Sequence, residues 1–285
     1  MQSNLDMRPI RYEELSSTLN RRQFVKTYTK VVGKYWIPKS CEEDPVIISD
    51  ALLKRFPKGV IRGFTALLLW NYRLLDDQWV PEVTVPSDSS NPTTYLGRIR
   101  RRKLPEVHLV KGRRCVSVAQ AIKDVLPGLK FEQQIALLDH LSRQDSKLKA
   151  ILHDDEQLKK LVKWVNVDAE SRPESLLRVR LIQEGFHDLV PQVEVKCGRR
   201  SRFVDLGDPL RRVGLEYQGS GHFDTAEKRA ADSDRQNELR AAGWVLIEIT
   251  WRDLQENTRW KGVVTRLAEL LAEAERDRRR KLARN

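Results

Sequence analysis

The feature that most constrains the fold is a short hairpin pattern between residues 201 and 218. Two strand-forming runs, SRFVDL and RRVGLEYQ, are separated by Gly-Asp-Pro, which is typical of a tight turn. In the second run, period-two alternation places Glu216 on the face opposite Val213 and Leu215. Asp205 closes its strand, so pairing across the turn brings the Asp205 and Glu216 carboxylates close together. Adjacent carboxylates repel each other unless a cation lies between them, and oxygen ligands of this kind suit Mg²⁺ or Mn²⁺.

The segments around this hairpin predict a unit with the order helix, three antiparallel strands, helix, strand, helix. A helix starts after Ser171, with Ser171 as N-cap and Glu174 completing a capping box. The other predicted elements are a strand at 190–195, a helix at about 225–242, a strand at 244–251 and a helix at 261–275. The run WVLIEITW at 244–251 is so apolar that a strand buried on both faces is expected.

A resemblance to the very-short-patch-repair (Vsr-like) endonucleases of the PD-(D/E)xK superfamily is carried by VDLGDPLRRVGLEYQGSGHF and DSDRQNELRAAGWVLIEITWRDL. The shared pattern is Glu in the first helix, Asp at a strand end, Glu-x-polar-Gly, a nearby His, and Asp-x-x-Arg-x-x-x-Leu before Gly-Trp. The matching positions are Glu174, Asp205, Glu216, Gln218, Gly219, His222, Asp232, Arg235, Leu239, Gly243 and Trp244. The resemblance covers about residues 170–256 and implies a restriction-endonuclease-like mixed sheet flanked by helices.

The resemblance also implies a nuclease site. Asp205 and Glu216 would hold Mg²⁺ or Mn²⁺, which polarises the scissile phosphate and lowers the pKa of an attacking water. His222 would act as general acid or base, and Glu174 would aim a further carboxylate at the site. Two residues of the following helix would brace the site or contact phosphate, namely Asp232 and Arg235.

One position departs from the superfamily pattern. Gln218 stands where Lys usually follows the second acidic residue. Glutamine hydrogen-bonds a water but brings no positive charge, so the site is either active through His222 or Lys196, or degenerate and limited to binding DNA. The structural alternatives are a pure capping role for Glu174, a solvent-facing loop histidine at His222, and a helix-surface ion pair of Asp232 with Arg235.

Residues 1–44 predict a winged-helix-like unit. Helices are expected over Tyr12–Leu19 and Arg21–Val32, with Gly33 ending the second and an extended KYWIPK run after it. In such a unit the second helix enters a major groove, although a helix pair that only builds a core is the alternative. The basic residues expected to contact DNA there are Arg21, Arg22 and Lys26.

Residues 45–164 predict an α+β module and a connector. Helices are expected within 45–75 and 115–144, the second capped by Ser117, with three short strands between them. The layout of about residues 8–150 resembles AbiEi-type antitoxins. With residues 165–285 as the nuclease-like domain and its basic tail, the predicted fold class is α/β (α+β overall).

The charge predicts the partner. The chain carries a formal net charge of +12, and such a field attracts polyanions, of which phosphate backbones are the commonest. The basic clusters lie at 98–103, 111–114, 196–202, 211–212 and 276–281. From these clusters, the residues expected to contact DNA are Lys196, Arg199, Arg200, Arg211 and Arg212.

The remaining expectations concern setting and activity. Three dispersed cysteines, no secretory signal and no apolar run of about 18 residues predict a cytoplasmic protein without a membrane partner. The predicted function is a Mg²⁺-dependent endonuclease that nicks or cleaves duplex DNA in defence or repair. The alternatives are a DNA-binding regulator or antitoxin-like protein with a degenerate nuclease domain, and action on RNA. A homodimer or a partner protein is compatible with the sequence.

Overall fold

The computed structural model describes residues 7–75, 78–219 and 226–284, with side chains of the helix that begins at Ala226 described from residue 230 onward. Within these residues the protein is a mixed α+β structure with three sheets. The chain divides into two compact units. Unit 1 comprises Met1–Lys130 and Gln144–Val162, and unit 2 comprises Phe131–Arg143 and Lys163–Asn285. The described part contains no helix with the length and apolar character required to cross a membrane.

The elements are given in chain order. The strands are β1 (Ile10–Arg11), β2 (Tyr28–Val32), β3 (Tyr35–Pro38), β4 (Val60–Arg62), β5 (Glu82–Val85), β6 (Arg98–Arg101), β7 (His108–Val110), β8 (Arg113–Cys115), β9 (Val190–Cys197), β10 (Arg200–Asp208), β11 (Val213–Gln218) and β12 (Val245–Thr250). The helices are α1 (Arg21–Thr27), α2 (Pro45–Arg55), α3 (Gly63–Leu69), α4 (Val118–Val125), α5 (Phe131–Gln144), α6 (Leu148–Asp154), α7 (Lys159–Val162), α8 (Arg172–Gln183), α9 (Ala226–Ala241), α10 (Trp251–Gln255) and α11 (Asn257–Leu282).

The N-terminal segment of unit 1 differs from the predicted pair of helices. The expected helix Tyr12–Leu19 is wrong, because only a three-residue 3-10 turn forms, at Tyr12–Glu14. The hydroxyls of Ser16 and Thr18 donate to nearby backbone carbonyl oxygens, at 3.0 and 3.2 Å. Such local bonds compete with helix formation.

The second predicted helix is too long. Asn20 caps α1 as its sequence position suggests, accepting the Gln23 N–H at 3.0 Å, but α1 ends at Thr27. Residues 28–32 (YTKVV) form β2 and pair with β3 in a three-stranded sheet of order β1-β3-β2. β-branched and aromatic residues favour strands, and this pairing satisfies their backbone groups.

The second sheet of unit 1 has the order β6-β5-β4-β8-β7. Strand β4 lies inside the segment predicted to be largely helical, where it separates α2 from α3. Short apolar runs such as VIR do not distinguish strand from helix by periodicity. The Ser117 cap is confirmed, since its Oγ accepts the Gln120 N–H at 3.2 Å. Strand β6 is an edge strand that pairs with β5 in parallel register.

Unit 2 is built on the sheet β12-β11-β10-β9, in which β9, β10 and β11 are antiparallel and β12 joins β11 in parallel. The three antiparallel strands and the following helix and strand were predicted from the sequence. The expected burial of the last strand on both faces is wrong. β12 is an edge strand, and Val245, Glu248 and Thr250 on it are exposed.

Two cores cover the two faces of this sheet. One face carries Leu206, Leu215 and Ile249 against α8 and α11. The opposite face carries a smaller cluster that includes Leu239 of α9 and Trp244. The helices therefore enclose the middle strands β10 and β11, which bear the two predicted carboxylates.

A pair of glycines allows close packing on the face of Trp244. Gly207 and Gly214 stand opposite each other on β10 and β11. A Cβ at Gly207 would lie 2.7 Å from the Trp244 ring, and one at Gly214 would lie 2.5 Å from Val204 Cγ1. Larger residues at these positions would push the tryptophan and valine away from the sheet, so glycine is required there.

Helix α5 contributes to unit 2 although the chain on both sides of it belongs to unit 1. Ala136 is fully buried in the larger core of unit 2. Asp139 is also fully buried and accepts a hydrogen bond from Arg178 of α8 at 2.9 Å. The Trp164 carbonyl accepts a second bond from the same Nη2, at 2.8 Å, whereas Arg178 Nε is buried without a hydrogen-bond partner among the described residues.

Candidate functional site

The hairpin brings Asp205 and Glu216 to the same place on neighbouring strands. The recorded pairing of β10 with β11 runs from Asp208 with Val213 to Leu206 with Leu215, and the next positions in this register are Asp205 and Glu216. The backbone N–H of Tyr217 donates to Oδ2 of Asp205 at 2.8 Å. This bond fixes the Asp205 carboxylate beside the end of β11.

Glu216 is completely buried and is held by one arginine. Arg235 of α9 donates from Nη1 and Nη2 to the two carboxylate oxygens, at 2.9 and 3.0 Å. The same guanidinium donates to the carbonyl oxygen of Phe203 at 3.1 Å. The side chain of Arg235 remains 28% exposed, whereas that of Glu216 is 1% exposed. The pair therefore opens to solvent on the arginine side alone.

Both carboxyl groups have raised pKa values. Burial raises the pKa of Asp205, the Tyr217 N–H opposes it, and the negative charge of Glu174 raises it further. Burial likewise raises the pKa of Glu216; the charge of Arg235 opposes this rise and the neighbouring Asp205 adds to it. Asp205 thus destabilises the ionised form of Glu216, and a further positive charge between the two groups would stabilise both carboxylates.

Glu174 lies at the N-terminus of α8 and faces the same region. Ser171 caps the helix, accepting the Glu174 N–H at 3.4 Å and donating its hydroxyl to Glu174 Oε1 at 2.7 Å. The other oxygen accepts the backbone N–H of Glu170 and the amide of Gln192, both at 2.9 Å. The predicted cap is confirmed, but the Glu174 carboxylate accepts the backbone N–H of Glu170 rather than that of Ser171.

Gln192 was not singled out by the sequence. It interrupts β9 with a positive φ of 50°, and no pair is recorded at the position opposite Asp205, although the register continues on both sides. A non-glycine residue in this conformation is strained and is often found at functional sites. A polar residue in an otherwise alternating strand was the only sequence signal.

The remaining predicted residues are less tightly placed. Gln218 ends β11, half-buried, with its backbone in register with Thr250 of β12. Asp232 is exposed on α9 and makes no ion pair within the described part of the chain, so the alternative of a surface pair with Arg235 is wrong. His222 lies outside the described residues.

The donor set fits a hard divalent cation in its chemistry. Asp205 and Glu216 offer only oxygen, and Mg²⁺ is commonly held by one or two carboxylates together with waters and substrate phosphate. No group of three or more His, Cys, Asp or Glu side chains in the described ranges is arranged to hold a metal ion. In this structure Arg235 binds both oxygens of Glu216, so the arginine would have to release at least one of them to a cation.

The predicted DNA-contacting residues of unit 2 fall into two groups. Arg199 and Arg200 lie exposed at the β9–β10 turn, and within the described residues neither forms an ion pair. Lys196 donates to Glu194 at 2.6 Å but is 76% exposed. Arg211 is held by carboxylates, lying 2.5 Å from Asp208. The further carboxylates within 3.5 Å of it are Asp188 and Glu275, and the Arg212 side chain donates to the Ala242 carbonyl at 3.3 Å.

The predicted contacts of unit 1 also differ among themselves. Arg21 lies over the rings of Tyr12 and Trp36, at 4.8 and 5.1 Å from their centroids, so it stabilises the aromatic cluster of that unit. Arg22 and Lys26 are exposed on α1, and neither forms an ion pair with any residue that the structure describes. These two remain available to a partner.

Comparison of the chain with models of known protein families, with curated proteins and with solved structures gave no match. The resemblance to Vsr-like endonucleases and to AbiEi-type antitoxins therefore remains a prediction. Support for a function comes from the geometry of the site.

Proposed function

We propose that unit 2 is a Mg²⁺-dependent DNA endonuclease domain with a PD-(D/E)xK fold of the Vsr-like type. The observation that carries the proposal is the meeting of two carboxylates of raised pKa, Asp205 and Glu216, on paired strands. Buried acids whose pKa values are raised by burial and by neighbouring carboxylates are typical of functional sites and cost stability unless a cation compensates them. The Glu174 carboxylate at the helix N-terminus adds to the same negative field.

Each residue has a role in this proposal. Asp205 and Glu216 would hold Mg²⁺ or Mn²⁺, and the bound ion would polarise a phosphodiester and lower the pKa of a water. The Tyr217 N–H keeps the Asp205 carboxylate oriented. Gln218 would hydrogen-bond the attacking water, and Arg235, released from Glu216, would supply the positive charge that a lysine supplies in the superfamily.

The basic β9–β10 turn would bind the DNA backbone. Arg199 and Arg200 are exposed at the turn that joins β9 and β10, the strands that carry Gln192 and Asp205. Phosphate contacts of this kind position a duplex without reading its sequence. In this proposal the substrate is duplex DNA and the setting is cytoplasmic defence or repair. The first 150 residues would be an AbiEi-like module, and a homodimer or a partner protein remains compatible with the proposal.

The test is cleavage of supercoiled, linear and mismatched duplex DNA by the full chain with Mg²⁺, Mn²⁺ or EDTA. We expect metal-dependent nicking or cutting that falls by at least about 100-fold in Asp205→Asn and Glu216→Gln, because each change removes a charged oxygen donor. Glu273→Gln makes the same chemical change at an exposed carboxylate on α11 and is expected to leave cleavage unchanged. Intact substrates under every condition, with unchanged DNA binding, would remove the nuclease proposal.

A second candidate function rests on the Glu216–Arg235 pair. A carboxylate whose two oxygens are taken by an arginine is already neutralised, and Gln218 brings no charge. Both features favour a DNA-binding regulator or antitoxin-like protein that has lost catalysis. This candidate predicts sequence-specific DNA binding in EDTA that is unaffected by Asp205→Asn, and no cleavage with any metal.

A further inference from the structure

Unit 1 carries a strongly basic edge at β6. The segment 89–105 contains five arginine or lysine residues and no aspartate or glutamate. Strand β6 is the edge of the five-stranded sheet, and its one partner among the described strands is β5. Four basic side chains of this segment are exposed, namely Arg98, Arg101, Arg102 and Lys103.

The charge of this edge is left without compensation. Arg100 pairs with Glu82 at 2.6 Å, but within the described chain none of the four exposed residues forms an ion pair. Arg199 and Arg200 at the β9–β10 turn likewise form no ion pair among the described residues, but two other basic clusters are partly neutralised by carboxylates. Arg113 makes two bonds of 2.7 Å to Asp50, and Arg278 and Arg279 share Glu275. The β6 edge is therefore a place where positive charge accumulates at the surface.

An aromatic residue and a further lysine continue the edge. Tyr95 is 57% exposed, and its backbone N–H donates to the Val31 carbonyl oxygen at 2.8 Å, which ties this segment to β2. Lys30 of β2 lies with its Nζ 5.1 Å from the centre of the Tyr95 ring. Basic residues interleaved with an exposed ring are typical of surfaces that bind nucleic acids.

We infer that the β6 edge, with Arg98, Arg101, Arg102 and Lys103, is a docking surface for the phosphate backbone of duplex DNA. Uncompensated guanidinium and ammonium groups on an edge strand and on the two residues that follow it complement a polyanion and release its counterions on binding. Charges on an edge strand also prevent strands from pairing between molecules. That protective role predicts no dependence of DNA affinity on these four residues, so the two explanations can be separated.

This inference shares with the proposed function only the identity of the ligand and does not depend on cleavage. The measurement is the affinity of the full chain for a short DNA duplex in EDTA, by fluorescence anisotropy, across a salt series. The test variant is Arg101→Gln/Arg102→Gln/Lys103→Gln. Its matched control is Lys147→Gln/Lys149→Gln/Lys160→Gln, which removes the same charge from exposed positions of the same unit.

We expect the test variant to bind at least about tenfold more weakly at about 0.1 M salt. The slope of log affinity against log salt is expected to fall by about two to three, since each lost phosphate contact contributes about 0.9. The control is expected to remain within about twofold of wild type. A charge-preserving variant, Arg101→Lys/Arg102→Lys, is expected to recover most of the affinity and guards against a folding artefact.

Equal losses in the test and control variants would mean that only net charge matters and would overturn the inference. If the test variant binds DNA with wild-type affinity, whether or not it aggregates, the charges of this edge serve to prevent strand pairing between molecules and not to bind DNA. If the chain binds duplex RNA more tightly than duplex DNA through the same residues, the ligand of this surface is RNA and the inference of DNA is overturned. If cleavage is absent but DNA affinity depends on this edge, the nuclease proposal fails and the docking surface stands.

Discussion

Asp139 and Glu216 are buried carboxylates of unit 2 that each bind one arginine, and the two pairs differ in what surrounds them. Asp139 and Arg178 are both enclosed, at 0% and 7% side-chain exposure, and the guanidinium also bonds the Trp164 carbonyl oxygen. Glu216 is equally buried, but Arg235 is 28% exposed. Beside Glu216 stands a second carboxylate, Asp205, whose charge raises the pKa of Glu216.

The difference separates a structural ion pair from a candidate site. In the enclosed pair, the positive charge of Arg178 balances the negative charge of Asp139, so the pair carries no net charge. Around Glu216, one arginine serves a cluster of carboxylates, so negative charge is in excess. A buried pair with such an excess is costly to keep unless it binds something in addition. Sequence spacing indicated the Asp205 and Glu216 carboxylates, but it gave no sign that Arg235 binds Glu216 or that Asp139 pairs with Arg178.

The largest effect is expected from breaking the enclosed pair. Asp139→Ala leaves the Arg178 guanidinium buried without a carboxylate and should lower the free energy of unfolding by about 3–5 kcal/mol. Chemical denaturation followed by tryptophan fluorescence measures it. Mg²⁺ should not restore the loss, because no other carboxylate would gain by binding the ion there. Full restoration by Mg²⁺ would contradict the structural role.

A smaller and pH-dependent effect is expected from Arg235→Ala. The change leaves Glu216 buried without its counter-charge and should cost about 2–3 kcal/mol at about pH 8. The pKa of Glu216, already raised by burial, rises further, so its ionisation costs stability as the pH rises through the folded-state pKa. The loss should therefore shrink towards about pH 5, where both the folded and unfolded carboxyl groups are closer to being protonated.

Denaturation of Arg235→Ala at several pH values, with and without Mg²⁺, measures this dependence. Because the proposed cation would replace the missing positive charge, Mg²⁺ should recover part of the stability in this variant. Arg240→Ala, on the same helix and paired with Glu248 at 3.9 Å, is the control and should show neither effect. A pH-independent loss in Arg235→Ala would show that Glu216 is not the group responsible.

The smallest effect is a gain from Asp205→Asn in metal-free buffer. Asparagine keeps an oxygen for the Tyr217 N–H but removes a charge that burial and Glu174 oppose. The raised pKa means that the wild type loses stability as the pH rises from the ordinary carboxyl range through the folded-state pKa. Above that window the variant should be more stable by about 1 kcal/mol, and below it the difference should vanish. Thermal melting at several pH values measures this, and a destabilised variant at neutral pH would contradict the assignment.

The local order of unit 2 was predictable because its signals are short-range. The alternation in β11 and the Ser171 cap each act within a few positions, and the structure contains both. The turn lies later than predicted, because Gly207 and Asp208 pair with β11 and β10 therefore continues past Asp205. What failed depends on distant partners. The apolar sequence of β12 gave no sign that the strand would be the edge of its sheet, with Val245 exposed. The residues YTKVV were predicted to continue the helix that begins at Arg21, but they form a strand because they pair with β3.

The candidate site was predictable in its carboxylates and incomplete in its partners. Register across a tight turn brought Asp205 and Glu216 together from the sequence alone. The bidentate bond from Arg235 depends on how α9 packs on the sheet, which no local pattern encodes. Gln192 lies near the site because the pairing of β9 with β10 is irregular opposite Asp205. A single glutamine in a strand does not predict such an irregularity.

The excursion of helix α5 into unit 2 limits how this protein can be divided. A fragment that began at residue 163 would lack Ala136 from its core and would leave Arg178 without Asp139. Unit 2 is therefore not self-contained in the segment that runs from residue 163 to the C-terminus. A working copy has to carry residues from 131 onward, including the stretch 144–162 that belongs to the other unit. An exchange of C-terminal segments between genes would keep the core of unit 2 intact only if its breakpoint lay before residue 131.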